Sequence, residues 1–353
     1  MSGQLASRLR LGMTLRLGED ESGARLGHIG WGPCYTEWKA NGRRWMARTE
    51  ESRGERSGCM AARTAKIGVI GGSGLYDMEE LSDVEVVGVQ TPFGAPSDAI
   101  TVGTLEGVAV AFLPRHGRGH RLTPTEVPSR ANIYALKSLG VEWVISVSAV
   151  GSLREDYAPL DLVVPDQIFD RTKGRPSSFF EGGIVAHVGF AEPFCPHLGA
   201  VLWDTMRGME GFRSHRGGTL VVIEGPAFST KAESRIYQQL GCDLIGMTAM
   251  PEAKLAREAE VHYAAIACGT DYDVWHESAE AVTVEMVVAN LRRNVANAQR
   301  IVRQVAPRLA VEGEPADCGC GSALATAIMT DRALITAPLR EKYGLLLGKY
   351  LAG

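Results

Sequence analysis

The stretch Lys66-Ile-Gly-Val-Ile70, followed directly by Gly71-Gly-Ser-Gly74, decides the fold class. Its first five residues form a short run rich in β-branched side chains, which is typical of a buried strand. The glycines after it permit a tight turn in which the backbone approaches a ligand, and free N–H groups in such a turn suit a phosphate. The loop matches neither G-x-G-x-x-G nor the P-loop motif, so taken alone it is better explained as a plain tight turn.

Six further runs of this kind follow, and helical patterns lie between several of them. The predicted strands are Val108–Leu113, Trp143–Ser148, Asp161–Pro165, Leu220–Ile223, Leu244–Met247 and Tyr263–Ala267. The predicted helices are Arg130–Leu139, Lys231–Leu240, Pro251–Glu260 and Thr283–Val305, and short helices are expected at Ala323–Ile328 and Leu339–Leu351. We expect the long helix to stop before Pro307. The alternation predicts an α/β fold: one domain with a mixed, mostly parallel central sheet flanked by helices.

The chain of 353 residues divides into three segments of different composition. Residues 1–62 hold ten Lys and Arg but seven Asp and Glu, so the remainder carries 27 − 34 = −7 of the net charge of −4. This first segment has no sustained period of 2 or 3.6. We expect it to be a disordered or dispensable extension, or the product of a start codon upstream of the true one near Met60. We expect residues 63–310 to be the catalytic domain and residues 311–353 an extension that packs on the domain or on a subunit interface.

Composition excludes several classes of protein. The acidic balance gives no sign of the basic face that nucleic-acid binders need. No apolar run reaches the roughly 20 residues that span a bilayer. No apolar segment follows the basic N-terminal residues, which argues against a secretory signal. The seven cysteines are too few and too scattered for a disulfide scaffold, so a reducing cytoplasm is expected.

A dense group of cationic and titratable residues, Pro114-Arg-His-Gly-Arg-Gly-His120, follows the predicted strand Val108–Leu113. Ligands of α/β sheets bind at the carboxyl ends of the strands, and arginine offers a planar fork that matches phosphate oxygens. The group therefore indicates an anion site. A solvated basic loop remains open, and a zinc site built on His116 and His120 is a weaker alternative, because no Cys or acidic residue is close in sequence.

Three more strand ends carry small, hydroxyl-bearing or aromatic residues. They are Ser146–Arg154, Ile223–Thr230 and Gly246–Glu252. Each is compatible with an ordinary turn. Together with the two preceding loops, they make a shared ligand site at one edge of the sheet the better interpretation.

The segment Thr270-Asp-Tyr-Asp-Val-Trp275 places two carboxylates directly after the apolar strand Tyr263–Ala267. Buried carboxylates are costly unless they are paired or used, and loss of solvation raises their pKa toward the range of a general acid. A surface turn is the alternative. The pair Asp271 and Asp273 is therefore a candidate acid–base site.

With these motifs in view, residues 66–306 resemble the purine nucleoside phosphorylase superfamily and, within it, the S-methyl-5′-thioadenosine phosphorylases. The matching runs are Ile70–Leu75, Thr91–Asp98, Arg115–Arg118, Gly151–Glu155, Asp170–Thr172, Ala191–Pro196, Ile223–Pro226 and Met250–Glu252. The segment from Asp317 to Asp331 resembles the C-terminal extension of many prokaryotic members. The resemblance implies a nucleoside-phosphorylase-type fold.

It also implies a reaction, which places the chain among the pentosyltransferases of methionine and purine salvage. Inorganic phosphate attacks C1′ of methylthioadenosine, and the products are adenine and 5-methylthioribose 1-phosphate. Phosphate is then a co-substrate, and no cofactor or metal is implied. By resemblance, the phosphate site consists of Ser73, Arg115, His116, Ser148, the backbone at Ala149, and Thr248. Gly246 stands where some relatives have Asn, which removes the contacts of that side chain.

The nucleoside site follows from the same resemblance. Phe228 should lie against the adenine, and Met247 should contact the ribose. Asp273 should donate a proton or hydrogen bond to purine N7, and Asp271 should accept a hydrogen bond from a 6-amino group and repel a 6-oxo group. Val282 and Val287 should line the methylthio pocket. His187 should reach in from a neighbouring subunit, which implies a homotrimer or a hexamer of two trimers.

Two other functions stay open. One is a related phosphorylase that acts on methylthioinosine, adenosine or guanosine. The other is a nucleoside-binding protein without catalytic activity. Cys318 and Cys320 are interpreted as two reduced thiols of no special role, with a disulfide as the alternative, although a Cys-x-Cys disulfide is strained.

Overall fold

The computed structural model divides the chain into two compact units, residues 1–60 and 61–353. It describes residues 14–19, 25–31, 34–41, 44–48, 63–72, 74–75, 78–276, 284–313, 315 and 318–351.

The first unit contains a four-stranded antiparallel sheet in which each strand pairs with the next along the chain. Its strands are β1 (Thr14–Glu19), β2 (Arg25–Trp31), β3 (Cys34–Asn41) and β4 (Arg44–Arg48). The sequence analysis did not predict these strands. They have five to eight residues each, and they were missed because this segment shows no sustained alternation of apolar and polar side chains.

The second unit is built on one mixed sheet. Its strands are β5 (Ile67–Gly71), β6 (Ser82–Val87), β7 (Ile100–Leu105), β8 (Val108–Pro114), β9 (Trp143–Ser152), β10 (Leu162–Val164), β11 (Gln167–Arg171), β12 (Ser214–Arg216), β13 (Thr219–Ile223), β14 (Leu244–Gly246) and β15 (His262–Asp271). The main order is β11-β13-β14-β9-β5-β8-β7-β6, while β15 pairs with β9 and β10, and β12 pairs with β10. Six of the strand pairs are parallel and four are antiparallel, so the predicted fold class is confirmed.

Helices cover both faces of this sheet. They are α1 (Ser129–Ser138), α2 (Pro196–Met206), α3 (Lys231–Gln239), α4 (Ala249–Glu258), α5 (Val284–Val311), α6 (Ala337–Lys342) and α7 (Gly344–Leu351). Side chains of β15 alternate between the faces: Tyr263 and Ala265 join a core with α1, α4 and α7, while Ala264 and Ile266 join a core with α2 and α5. Because both faces are covered, the strands read as continuous apolar runs. No helix in the described ranges is both long enough and apolar enough to cross a membrane.

All seven strands predicted in the body are present, but two helix predictions are wrong. Helix α5 does not stop before Pro307; it continues to Val311, because Ala306 and Leu309 on either side of the proline are fully buried. Packing therefore outweighs the lost backbone hydrogen bond. Residues Ala323–Ile328 form turns that end in a bridge between Ile328 and Ala186. Strands β6, β7, β11 and β12 and helix α2 were not predicted.

The C-terminal segment packs on the body of its own chain. Leu324, Tyr343, Leu346 and Leu347 are buried in the core that also contains α1 and α4. The Tyr343 hydroxyl donates to the carbonyl of Glu181 and accepts from its N–H, both at 3.2 Å. The last two helices are therefore part of the second unit.

Candidate active site

A cavity of about 560 Å³ opens where β5, β8, β9, β13, β14 and β15 end, and α5 closes one side of it. This volume is within the usual range for small-molecule sites. Nine of the thirteen predicted site residues line it: Arg115, His116, Ser148, Ala149, Phe228, Met247, Thr248, Asp271 and Asp273. The topology thus gathers residues that lie as much as 158 positions apart in the sequence, from Arg115 to Asp273.

The other four predicted residues are placed differently. Ser73 and Val282 lie outside the described residues, as does the side chain of Val287 in α5. His187 is described, and it does not line the cavity of its own chain. Its backbone N–H donates to the carbonyl of Ala327 at 2.9 Å. Its predicted role across a subunit interface stays a prediction.

Arg115 follows β8 and is almost fully buried, at 2% exposure. Its Nε donates to Glu252 Oε1 at 2.6 Å, and its Nη2 lies 3.1 Å from Glu252 Oε2. Nη2 also donates to the hydroxyl of Ser146 at 2.7 Å, and Nη1 donates to the carbonyl of Val147 at 2.9 Å. These bonds fix the guanidinium plane, and one Nη1 hydrogen is left without a partner among the described residues. Arg115 is therefore a charge-paired group held in one orientation in the wall of the cavity.

His116 is held in one tautomer. Its Nδ1 lies 2.9 Å from the carbonyl oxygen of Leu122, which only accepts hydrogen bonds, so Nδ1 carries the proton and Nε2 is left as an acceptor. Burial, followed by the positive charge of Arg115, lowers the pKa of His116 to about 4. The imidazole is therefore neutral at pH 7 and adds no positive charge to the site.

The expected cationic character of the 114–120 loop needs correction. Arg118 donates to both carboxylate oxygens of Asp98, from Nη1 at 2.8 Å and from its backbone N–H at 2.7 Å, and it does not line the cavity. Since Glu252 balances Arg115 and His116 is neutral, little net positive charge faces the cavity from this loop. An anion in this cavity would therefore be held mainly by N–H and O–H donors.

Thr248 and Arg292 add hydrogen-bond donors to the lining of the cavity. Thr248 occupies the N-cap of α4, but its hydroxyl makes no capping bond, so the side chain stays available to a ligand. Met250, the second residue of α4, has non-helical backbone angles (φ −113°, ψ 132°), so the regular helix begins only after it. Arg292 reaches the cavity from α5 and is exposed. Both positions suit a ligand that carries negative charge.

Asp271 ends β15 and is buried, at 7% exposure. Its Oδ2 accepts a hydrogen bond from Thr270 Oγ1 at 2.6 Å, and its Oδ1 accepts from the backbone N–H of Asp273 at 2.8 Å. Burial raises the pKa of Asp271 above its ordinary value, although these two bonds oppose the rise. Both oxygens accept, and so the carboxylate is held in the orientation of an acceptor.

Asp273 is buried to the same extent but is not satisfied in the same way. Its Oδ2 has no hydrogen-bond partner among the described residues, and its backbone has a φ of +53°, which is unusual for a residue with a side chain. Burial, together with the charge of Asp271, raises the pKa of Asp273. A buried carboxyl group with one oxygen unpartnered and a raised pKa is typical of a general acid.

The glycine at position 151 makes room for this pair. A Cβ atom there would lie 2.9 Å from Ile245 Cγ2, 3.1 Å from Asp271 Oδ1 and 3.3 Å from Asp273 Cβ. Helix α5 holds the same strand end, because Asn290 donates to the carbonyl of Thr270 at 2.7 Å and Asn294 to that of Gly269 at 3.0 Å. The two carboxylates are therefore fixed by packing and by backbone anchors.

Comparison with known proteins identifies the family. Residues 66–307 match the family model described as the phosphorylase superfamily. The chain belongs to the phosphorylase superfamily. A curated relative from Gloeobacter violaceus, named S-methyl-5′-thioadenosine phosphorylase, is 56% identical over 83% of this chain and 98% of its own length. One of the same name from Chloroflexus aurantiacus is 58% identical over 81% and 99%. The resemblance that the sequence motifs indicated is confirmed.

Solved structures agree with the membership in this superfamily. A methylthioadenosine phosphorylase from an Antarctic soil metagenomic library is 48% identical, covers 81% of this chain and 99% of its own, and has a TM-score of 0.77. A mutant adenosine/methylthioadenosine phosphorylase from Schistosoma mansoni, solved in complex with methylthioadenosine, is 38% identical over 71% and 93%, with a TM-score of 0.66.

Sequence reasoning missed several residues of this phosphorylase site. Glu252 was only part of a matching motif, and its partnership with Arg115 spans 137 positions. Val288, Arg292 and Val295 line the cavity from α5, and their spacing of four and three residues puts them on one face of a helix. That spacing was a signal available in the sequence. Arg175 was also missed; its Nη1 donates to the carbonyls of Met247 and Met250 at 2.7 and 2.8 Å and so positions the end of β14.

Proposed function

We propose that this chain catalyses the phosphorolysis of S-methyl-5′-thioadenosine to adenine and 5-methylthioribose 1-phosphate. One observation carries the proposal: two buried carboxylates of different hydrogen-bonding state, Asp271 and Asp273, share a cavity with an arginine, a neutral histidine and a threonine hydroxyl. Curated relatives more than 50% identical carry the name of this enzyme. The chain is therefore a pentosyltransferase that links nucleoside breakdown to methionine and purine salvage.

Phosphate binds at the end of the cavity formed by Arg115, His116, Ser148, Ala149 and Thr248. The free Nη1 hydrogen of Arg115 and the hydroxyls of Ser148 and Thr248 donate to phosphate oxygens. The neutral Nε2 of His116 accepts from a protonated phosphate oxygen, which a cationic histidine does not do. Ser73 completes the site in this proposal. The bound anion stabilises the positive charge that develops at C1′ in the transition state.

A proton donor stabilises the departing base. Asp273 in its protonated form donates to purine N7 and neutralises the charge that builds on the ring as the glycosidic bond breaks. Its raised pKa keeps the carboxyl group protonated over more of the pH range than an exposed aspartate. Positioned proton donors of this kind contribute about 10²–10⁴-fold to a rate.

The choice of base rests on Asp271. Because both of its oxygens already accept hydrogen bonds from Thr270 and from the backbone, the group acts as an acceptor and pairs with an exocyclic 6-amino group. A 6-oxo group would present an acceptor to an acceptor, which disfavours binding. Adenine is therefore preferred over hypoxanthine and guanine.

The sugar and its methylthio group occupy the apolar part of the cavity. Phe228 is half exposed at the cavity and is free to stack on the base, and Met247 lies beside the ribose. Val288 and Val295 of α5 provide apolar walls, to which the proposal adds Val282 and Val287. The methylthio group is apolar, and burying each of its carbon and sulfur atoms favours binding.

The assembly belongs to the proposal as well. We propose a homotrimer, alone or paired as a hexamer, in which His187 of one subunit completes the site of its neighbour. The position of His187 away from its own cavity supports this arrangement. Sedimentation should give the mass of three or six chains, and His187→Ala should lower kcat/KM without changing the Tm of the chain. We further propose that the enzyme works in the cytoplasm with no cofactor besides its two substrates.

A substrate panel tests the function directly. kcat/KM is measured for methylthioadenosine, methylthioinosine, adenosine, inosine and guanosine, with phosphate and without it. We expect adenine release from methylthioadenosine that requires phosphate and exceeds turnover of the 6-oxo nucleosides. Preference for methylthioinosine or inosine would replace the proposed substrate with another of the superfamily. Tight nucleoside binding without turnover would indicate a binding protein instead.

A further inference from the structure

Four residues that play no part in the proposed reaction bring three sulfur atoms and one imidazole nitrogen together. They are Cys195, His262, Cys318 and Cys320, hereafter the thiol–imidazole cluster; all four are buried, and their ligand atoms lie within 4.8 Å of one another. They come from three places in the chain: the N-cap of α2, the first residue of β15 and the C-terminal segment. The sequence analysis assigned no metal site and treated Cys318 and Cys320 as incidental.

The separations within the cluster are close to those of a tetrahedral site. The Sγ atoms of Cys195 and Cys318 are 3.4 Å apart, and those of Cys318 and Cys320 are 3.0 Å apart. The Nδ1 of His262 lies 3.3 Å from Cys195 Sγ and 3.5 Å from Cys318 Sγ. Zinc–sulfur bonds of about 2.3 Å in a tetrahedron place neighbouring ligand atoms about 3.8 Å apart. A small outward movement of the side chains would therefore admit the ion.

We propose that the thiol–imidazole cluster binds one structural Zn²⁺ through Cys195, Cys318, Cys320 and Nδ1 of His262. Three thiolates and one imidazole form a common closed zinc site, with no position left for water or substrate. Soft sulfur ligands also favour zinc over magnesium, calcium or manganese. Binding releases the thiol protons, so occupancy falls as the pH is lowered.

Neighbouring residues hold two of the proposed ligands, Cys195 and His262, in position. Cys195 caps α2, and its sulfur accepts a hydrogen bond from the backbone N–H of Leu198 at 3.4 Å, which holds the sulfur in place. The ring of His262 stacks on Trp143 at 4.1 Å between centroids and 22° between planes. This stacking fixes the plane of the imidazole and aims Nδ1 at the sulfurs, which is the role that outer residues have in metal sites.

The position of the cluster assigns it a role in stability. Cys195 and His262 belong to the body, whereas Cys318 and Cys320 belong to the C-terminal segment, so the ion would fasten that segment to α2 and β15. His262 and Asp271 stand at opposite ends of β15. Ten residues of a strand at about 3.3 Å each separate the metal from the active site by about 30 Å. The zinc therefore has no direct part in catalysis.

Metal analysis of the full chain tests the proposal. The protein is produced without a histidine tag in zinc-supplemented cells, purified without chelators, and its metals are measured by mass spectrometry. We expect about one zinc per chain in the wild type and its loss in Cys320→Ser. The control is Cys242→Ser, which removes another buried cysteine outside the cluster and should keep the zinc. If Cys320→Ser does not fold, Co²⁺ loading of the wild type should give the thiolate-to-cobalt absorption of a tetrahedral site.

Stability and activity give a second readout. Removal of zinc by a strong chelator should lower the Tm of the wild type, and restored zinc should recover it, while kcat/KM at a temperature below unfolding stays unchanged. Wild-type protein that is free of zinc and whose thiols are all reduced would overturn the proposal. A disulfide between any two of Cys195, Cys318 and Cys320, detected by peptide mapping without reductant, would also overturn it. These outcomes are independent of the substrate panel.

Discussion

Two charged groups that line the cavity, Arg115 and Asp273, differ in how their charge is balanced. Arg115 is buried and paired, because Glu252 binds its guanidinium at 2.6 and 3.1 Å. Asp273 is buried and unpaired at Oδ2 within the described part of the chain, and its pKa is raised. A buried charge that is matched is rigid and keeps its ionisation state, whereas an unmatched one readily exchanges a proton. The comparison supports the proposal that Arg115 helps to bind phosphate and that Asp273 transfers a proton.

The largest expected effect is on kcat, and it comes from replacing Asp273, whose Oδ2 has no partner in the described part of the chain. Asp273→Ala removes the proton donor, so kcat for methylthioadenosine should fall by about 10²–10⁴-fold. The Tm at neutral pH should not fall, because a carboxyl group whose pKa is raised by folding destabilises the protein as pH rises above the unfolded value. Steady-state kinetics and thermal unfolding check both parts. Asp204→Ala, on the surface of α2, should change neither, and near wild-type kcat for Asp273→Ala would remove the acid role.

Breaking the buried pair of Arg115 and Glu252 should mainly lower the free energy of unfolding. Glu252→Gln leaves the positive charge of Arg115 buried without its partner, which costs about 3–5 kcal/mol in other proteins. We expect the free energy of unfolding in urea to drop by this amount and the KM for phosphate to rise, since the guanidinium is no longer fixed. Glu142→Gln is the matched control, because Glu142 forms an ion pair with Lys66 in which both side chains are 53% exposed. Equal stability of the two variants would show that the buried pair does not stabilise the structure around Arg115.

A smaller effect is expected at the second carboxylate. Asp271→Asn replaces an acceptor by a group that also donates, so the preference for a 6-amino base should weaken and a 6-oxo base should gain. We expect the ratio of kcat/KM for methylthioadenosine to that for methylthioinosine to fall by about 10–100-fold, which corresponds to about 1–3 kcal/mol for one mismatched buried hydrogen bond. An unchanged ratio would assign base selection to another residue.

The smallest effect should come from the aromatic wall. Phe228→Ala removes a stacking surface worth about 0.5–1.5 kcal/mol, so KM for the nucleoside should rise about threefold to tenfold while kcat changes little. Binding and kinetics with adenine and methylthioadenosine measure this. Ile236→Ala, an equally exposed apolar residue outside the cavity, should leave KM unchanged. A fall in kcat alone would place Phe228 in the chemical step.

The carboxylates and the arginines of the site also differ in how far the sequence alone predicts their role. Asp271 and Asp273 were predictable, because they directly follow the continuous apolar run of β15, and a local pattern identifies a buried strand and its end. The acidic partners of Arg115 and Arg118 were not predictable. Arg118 looked like a ligand until its bond to Asp98, twenty positions away, was visible, and the partner of Arg115 lies 137 positions away.

The same reason explains the other gaps. Pairing between distant residues depends on topology, and a single sequence contains no direct signal for it. The members of the thiol–imidazole cluster are separated by as many as 125 positions, from Cys195 to Cys320. Helix α5 passes through Pro307 because of burial that only the packed structure reveals. Seven strands of the body were found because their burial leaves continuous apolar runs, while the exposed β6 left none.

The pH dependence of kcat in wild type and Asp273→Asn tests the central claim most directly. Asparagine keeps a hydrogen-bond donor at this position but does not titrate. For the wild type, we predict that kcat for methylthioadenosine at saturating phosphate falls as the pH rises through the raised pKa of Asp273, because only the protonated form donates to N7. In Asp273→Asn that fall should disappear, while ionisation of phosphate affects both proteins alike. The same alkaline fall in both proteins would contradict the assignment of Asp273 as the acid.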